Sequence, residues 1–346
     1  MRRPFDKGCS LCSGQIPSST IINPERRRFL RFAANATALS LVSRGALAEE
    51  YPRRPVRLVV GYPPGGTTDI VARLIGQWLS GRLGRQFIIE NRPGANTYLA
   101  TEAVMHAPAD GYTLLTVGST TAINETLNEK LKFNLPRDLT LIAGLTKSPL
   151  VLEVHPSVPF KSVPEIVAYA KANPGRISMA SFGTGSISHV AGELFKIAAG
   201  LDMLHVPYRG SGPMLIDLLA GQVQAAFDNL PASIAHIRAG RLRPLAVTNA
   251  VRSEQLPEVP TVGEFLPGYE ASSFLGLAAP KSTPPEIVIK LNREINAGLA
   301  DRNMKARLGE LGGAPLMLSP DEFSSFVGRE TEKWAKVVRE AKIKVE

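Results

Sequence analysis

A chain of 346 residues, 44% hydrophobic and 21% charged, holds enough apolar material for two ordinary domains, and with two cysteines it is no disulfide scaffold. Its net charge of +9 is unevenly spread: residues 1–48 carry eight basic and two acidic side chains, so about +3 remains beyond them. That remainder argues against nucleic-acid binding, and no later segment has the roughly 18 apolar residues that a membrane span requires.

The chain opens on an export pattern. Arg26-Arg27-Arg28-Phe29-Leu30-Arg31 fits a twin-arginine signal, with Glu25 in place of the commoner Ser or Thr. Phe32 to Val42 is moderately apolar, and Ala46-Leu47-Ala48 supplies a small-residue cleavage site. Residues 1–48 are therefore read as a signal peptide cleaved near Ala48, which puts the mature protein in the periplasm. Cys9 and Cys12 fall in the removed part, so their spacing is read as accidental.

From there apolar runs alternate with helical patterns, as in an α/β protein. Leu58-Val59-Val60 reads as a strand buried on both faces. Ile70, Val71, Leu74, Ile75, Trp78 and Leu79 then gather on one face of a helix that Gly81 and Gly84 close. Phe87 to Ile89 is a second strand, Tyr98 to His106 a helix, and Thr113 to Val117 a third strand. The alternation recurs through strands at Leu150 to Val154, Ile177 to Ala180, Val223 to Phe227 and Leu245 to Thr248. Helices are expected at Pro164 to Ala172, Ser188 to Ala199 and Met214 to Ala220, with more helix from Pro285 onward.

The segment Arg57 to Asp69 says most about function. A strand runs through Tyr62-Pro63-Pro64-Gly65-Gly66-Thr67 into a helix, and the unpaired N–H groups of a helix's first turn, with its macrodipole, suit an anion. Gly65 and Gly66 are expected to take positive φ and let a ligand approach, although an ordinary strand-to-helix turn reads the same way. Two further strand ends resemble it: Val117-Gly118-Ser119-Thr120-Thr121, and Phe182-Gly183-Thr184-Gly185-Ser186-Ile187-Ser188-His189. In open α/β sheets ligands bind at that edge. Asp228 and Asn229 close another strand before Pro231, and either cap the next helix or touch a ligand. His189 is read first as a structural residue and second as a ligand contact.

Enzyme signatures are missing from the sequence: there is no G-x-S-x-G elbow, no phosphate loop, no zinc helix and no third glycine after Gly183 and Gly185. His106, His155, His189, His205 and His236 show no metal-ligand spacing. No cofactor or metal is expected.

The order of landmarks resembles the tripartite tricarboxylate transporter receptors, the Bug-type solute-binding proteins. They are Tyr51-Pro52-x-x-Pro55, the Pro-Pro-Gly-Gly-x-x-Asp loop, Glu90-Asn91-Arg92-Pro93-Gly94-Ala95, Asp110-Gly111-Tyr112-Thr113, Gly183-x-Gly185-Ser186 and Val206-Pro207-Tyr208-Arg209-Gly210. Phe227-Asp228, Leu245-Ala246-Val247-Thr248, Pro257-x-Val259-Pro260-Thr261, Ala279-Pro280-x-x-Thr283-Pro284 and Glu330-x-x-x-Trp334 complete the series. The resemblance implies an α/β, two-lobed periplasmic-binding-protein fold of type II, with residues 49–149 and 272–346 in lobe 1, residues 150–271 in lobe 2, and a ligand cleft between them.

It also implies a monomeric, non-enzymatic receptor that delivers a small carboxylate or amino-acid solute to the transporter's membrane subunits. A sensor presenting its closed form to a signalling protein, or an enzyme acting on a small acid, are the alternatives. The ligand would be held by Tyr62, Pro64, Gly65, Gly66, Thr67 and Ser119 from lobe 1. Thr184, Gly185, Ser186, Ser188, His189, Tyr208 and Asp228 would hold it from lobe 2. Arg209 is expected to face solvent or an acid. Asn96-Thr97-Tyr98, where such chains usually carry more glycine, departs from the pattern in a way that could reshape the cleft.

Overall fold

The first three apolar runs form parallel strands: β1 (Val56–Val60) lies between β2 (Phe87–Asn91) and β3 (Thr113–Gly118). The structure is a computed structural model that describes residues 51–127, 133–340 and 343; the signal peptide expected at 1–48 lies outside the described residues. Because side chains alternate along a strand, β1 serves two cores. Val56, Leu58 and Val60 pack with Val71, Ile75 and Leu79 of helix α1 (Thr67–Leu83), whereas Val59 packs with Ala100 and Val104 of helix α2 (Tyr98–Met105). Gly84, at φ +66, ends α1 as a left-handed cap.

After β3 come helices α3 (Ser119–Leu127) and α4 (Leu135–Asp138), then strand β4 (Leu139–Val154), which is 16 residues long. β4 changes partner half-way. Leu139 to Pro149 pair antiparallel with β9 (Ser272–Pro280), whereas Leu150 to Val154 pair antiparallel with β7 (Ala225–Asn229) and Val151 to Val154 with β8 (Arg243–Val247). Beyond this point a second parallel group, β7, β5 (Ser178–Ser181) and β6 (Leu204–Pro207), is flanked by α5 (Val163–Ala172), α6 (Ile187–Ala199), α7 (Ser211–Leu219) and α8 (Leu230–Arg238). Helices α9 (Pro285–Ala300) and α10 (Arg302–Glu310), strand β10 (Ala314–Pro315) and helix α11 (Pro320–Glu340) follow among the described residues.

The strand path is therefore β2-β1-β3-β9-β4-β7-β5-β6, with β8 and β10 also on β4. Two α/β lobes share β4, and each has its own core. Around β5 and β7 the core gathers Phe195, Phe227, Met179 and Val190, while the other lobe buries Leu58, Ile75, Leu114 and Ile295. Helix α11 contributes to both: Phe323 and Val327 sit in a core of the first lobe, Trp334 and Val338 in that of the second. Where β4 changes partner, Thr248 ties it to the approach to β9. Its Oγ1 accepts from the Leu150 N–H at 2.8 Å and donates to Ala271 O at 2.6 Å.

Several elements differ from the sequence reading. β4 begins at Leu139 and not at Leu150, and β6 and β9 are strands that periodicity did not single out. Gly144, Pro149 and Gly276 interrupt β4 and β9, and β4 carries two register shifts against β9, so neither shows a clean alternation.

A candidate ligand cleft between the lobes

The carboxyl ends of β1 and β3 face those of β5 and β7, so the residues that follow these strands meet. Tyr62 after β1, Ser119, Thr120 and Thr121 after β3, Phe182 after β5 and Asn229 at the end of β7 line a cavity of about 20 Å³, room for about one water. A second space of about 20 Å³ lies between Tyr62, Gly66, Thr67, Thr68, Phe182, Ser211 and Asn229. Both lead the eye to Tyr62, which also borders a far larger chamber of about 770 Å³, with Pro63, Asn96, Tyr98, Asn124, Gly183, Thr184, Tyr208 and Arg209 among its walls. Across the cleft Tyr62 meets Phe182 edge-to-face, the ring centroids 5.8 Å apart and the planes at 88°.

Helix α1 starts at this cleft with no side-chain cap, which leaves its first N–H groups for another partner. The turn before it is tied down from behind. Asp69 accepts from the Gly65 N–H at 3.1 Å and from both Arg73 and Asn91, and Asn91 Nδ2 donates to Tyr62 O at 3.0 Å. Although burial opposes it, those bonds hold the Asp69 carboxyl below its usual pKa. Gly65 has φ +91 as expected, but Gly66 has φ −83 and ψ 168, ordinary extended backbone, so the expectation of positive φ fails there. What brings the turn close to lobe 2 is Gly210, at φ +120, where an added Cβ would lie 2.8 Å from Pro63 Cδ.

Several polar atoms in the cleft are enclosed without a hydrogen-bond partner: Tyr62 Oη, Thr67 Oγ1, Thr97 Oγ1 and Asn229 Oδ1. Burial raises the pKa of the Tyr62 hydroxyl, against a smaller lowering by the neighbouring Thr120 hydroxyl that lies outside hydrogen-bond geometry, so it stays a protonated donor. Each such orphan disfavours the closed cleft by about 1–3 kcal/mol until something pairs with it.

The residues expected to form the site divide into walls and supports. Tyr62, Gly66, Thr67, Ser119, Thr184 and Tyr208 reach one of the three spaces. Ser119 is already engaged, accepting from the Phe274 N–H at 3.0 Å, and Tyr208 donates its hydroxyl to Asp217 at 2.7 Å. Pro64, Gly65, Gly185, Ser186, Ser188, His189 and Asp228 do not line the described cavities, and most of them brace the loops. Ser186 caps α6 by accepting from the His189 N–H, and Ser188 Oγ donates to Phe227 O. His189 Nδ1 accepts from the Gly185 N–H at 3.0 Å, which leaves the ring proton on Nε2, 3.5 Å from Glu193. Its ring stacks on His205 with centroids 3.7 Å apart. His189 thus braces the loop between β5 and α6 and lines none of the three spaces.

Asp228 is wholly buried behind the cleft, accepting from Ser211 Oγ at 2.5 Å, Ser233 Oγ at 3.2 Å and the Asn229 N–H at 2.8 Å. Burial pushes its pKa up to about 7 against those bonds, and Ser233 also reaches Glu153, whose carboxyl is raised by burial and by Asp228. Arg209 is exposed and borders the chamber. Thr68, Thr97, Thr120, Phe182, Ser211 and Asn124 are walls that sequence reasoning did not assign to the site. The signal for the threonines was weak, because a β-branched polar residue at a strand end or helix start is as common in plain caps.

Known proteins resolve what this cleft belongs to. Residues 71–343 match the profile of the tripartite tricarboxylate transporter family receptor. The chain belongs to that family. It is 37% identical over 301 residues to protein BugT of Bordetella pertussis, covering 86% of this chain and 92% of BugT. It is also similar to an R. palustris protein solved with adipate, at 38% identity and a TM-score of 0.83 over 85% of this chain and 99% of that one. MatC of Rhodopseudomonas palustris, solved with bound malate, is 33% identical with a TM-score of 0.79, covering 83% of this chain and all of its own. The architecture is thus the two-lobed, type II fold of solute-binding receptors.

Proposed function

We propose that this protein is a periplasmic receptor that closes its two lobes on a small carboxylate and hands it to the membrane subunits of a tripartite tricarboxylate transporter. The observation that carries the reading is the meeting of the uncapped start of α1 with the unpartnered hydroxyls of Tyr62, Thr67 and Thr97. Hydroxyls and helix-start amides donate, and a carboxylate accepts from several at once. Arg209, exposed at the chamber wall, is the one charged side chain among the described residues lining the three spaces, so beside Tyr62 and Thr67 the carboxylate is met by dipoles, with water free to bridge. The adipate and malate held by two similar proteins agree with this ligand class.

The lobes are taken as residues 49–149 with 272–346 and residues 150–271, supported by the exchange of β4's partners between Pro149 and Leu150. Closure shifts an open–closed equilibrium toward the form in which the ligand touches both. Amino acids fit less well, because Asp228, the acid that would meet an ammonium group, is engaged behind the cleft. Catalysis forms no part of the reading. A thermal-shift series of the mature chain against mono-, di- and tricarboxylates tests it. A ligand at a hundred times its Kd should stabilise by about 2.7 kcal/mol. If sugars or cations raise the Tm while every acid leaves it unmoved, the carboxylate assignment fails.

A further inference from the structure

Asn96 holds its side-chain amide in one orientation, and that orientation leaves a carbonyl with nothing to accept. Asn124 Nδ2 donates to the main-chain oxygen of Asn96 at 2.6 Å, which turns Asn124 Oδ1 toward the Asn96 side chain, and Asn96 Nδ2 donates to it at 3.1 Å. A flipped Asn96 amide would set two carbonyl oxygens against each other. Asn96 Oδ1 is therefore fixed away from Asn124, where it is enclosed without a hydrogen-bond partner. It lies across the cleft from Gly183, at which an added Cβ would come within 2.9 Å of it, and Asn96 and Gly183 both border the large chamber.

The backbone that presents this amide is strained. Ala95, Asn96 and Thr97 have φ of +43°, +51° and +78°, three successive non-glycine residues in the left-handed region. Glycine would relieve the strain at once, yet the chain keeps a side chain that ends in a fixed acceptor.

A carboxylate carries only acceptors at neutral pH, so it cannot satisfy Asn96 Oδ1; the donor must come from elsewhere on the ligand. An ammonium group would want a carboxylate nearby, but Arg209 is the one charged side chain among the described residues of the chamber wall, and it repels a cation. We infer that Asn96 selects, within the carboxylate class proposed above, ligands that bear a neutral hydrogen-bond donor, a hydroxyl or amide, apart from the carboxylate. The inference rests on that functional reading and goes beyond it by naming a second chemical group.

The test walks a hydroxyl along straight-chain mono- and dicarboxylates and compares each acid with its unsubstituted parent by titration calorimetry, on the wild type and on Asn96→Gly. Glycine suits φ +51°, so the variant is expected to fold, which its Tm checks. Asn96→Ala is the second variant, since Ala95 already occupies the neighbouring left-handed position. At least one hydroxy acid should bind the wild type about tenfold more tightly than its parent, and the preference should shrink to about twofold or less in the folded variants. Equal affinity for parent and hydroxy acids along the whole walk, or a preference that survives in a folded variant, overturns the inference while leaving the carboxylate reading intact. Failure of every acid to bind overturns both.

Discussion

Thr67 lines the cleft at the first position of α1, and no protein group pairs with its enclosed hydroxyl. Valine has nearly the same shape, so Thr67→Val removes the polar atom without opening a cavity. Unfolding in urea should show the ligand-free variant as stable as the wild type or more so, by about 1 kcal/mol, because an unsatisfied buried hydroxyl has gone. Calorimetry should show carboxylate affinity falling about tenfold. A valine variant that binds as well as the wild type takes Thr67 out of the site.

Asp228 makes a pH prediction at the same scale. Its folded-state pKa of about 7 lies above the usual 3.8, so between those values the native state holds more protons than the unfolded chain, and stability falls as pH rises. His205 opposes this. Burial first, and then His189, depress its pKa from 6.5 to about 4, so it lends stability that is lost as pH falls through that window. Asp228→Asn against the wild type reads this acid together with Glu153, whose carboxyl Asp228 also raises. The variant should gain relative stability from about pH 4 to about pH 7, with a slope of up to about 1.4 kcal/mol per pH unit, and level off above. A difference that stays flat with pH would mean the Asp228 carboxyl is ionised throughout. That buried role was not legible in the sequence, because Asp-Asn at a strand end looks the same whether it caps or faces a ligand. Tyr62 and Thr67 were legible, since the Pro-Gly-Gly turn marks where a helix must begin.

Among the elements, one hydroxyl joins the partner change of β4 to the approach to β9. Thr248 Oγ1 accepts from the Leu150 N–H and donates to Ala271 O, while its own N–H and C=O pair with the same two residues. Thr248→Val keeps the β-branched shape but leaves one buried donor and one acceptor unpaired, a loss of about 1–3 kcal/mol that chemical denaturation would register. An unchanged midpoint would show that the crossing strands need no clasp. The hydrophobic runs of β1, β2 and β3 were plain in the sequence because each is short, apolar and bounded by turns. β4 and β9 were not, because each draws its regularity from the other: glycines, a proline and shifted register blur the alternation, and only the pairing restores it.

On the scale of the whole molecule, the alternation of strands and helices was enough to expect an α/β chain, and the ordered landmarks to expect two lobes. What sequence spacing could not supply was which strand ends would meet, since Tyr62 and Phe182 stand far apart in the chain and touch through the fold alone. Nor did it show that the last helix belongs to both halves. Phe323 and Trp334, a few turns apart on α11, are each fully buried in a different core. Prising the halves apart along that flank would unseat an aromatic anchor, worth about 3 kcal/mol or more. With α11 seated in both cores, the flank it runs along is the costlier one on which to part the two halves.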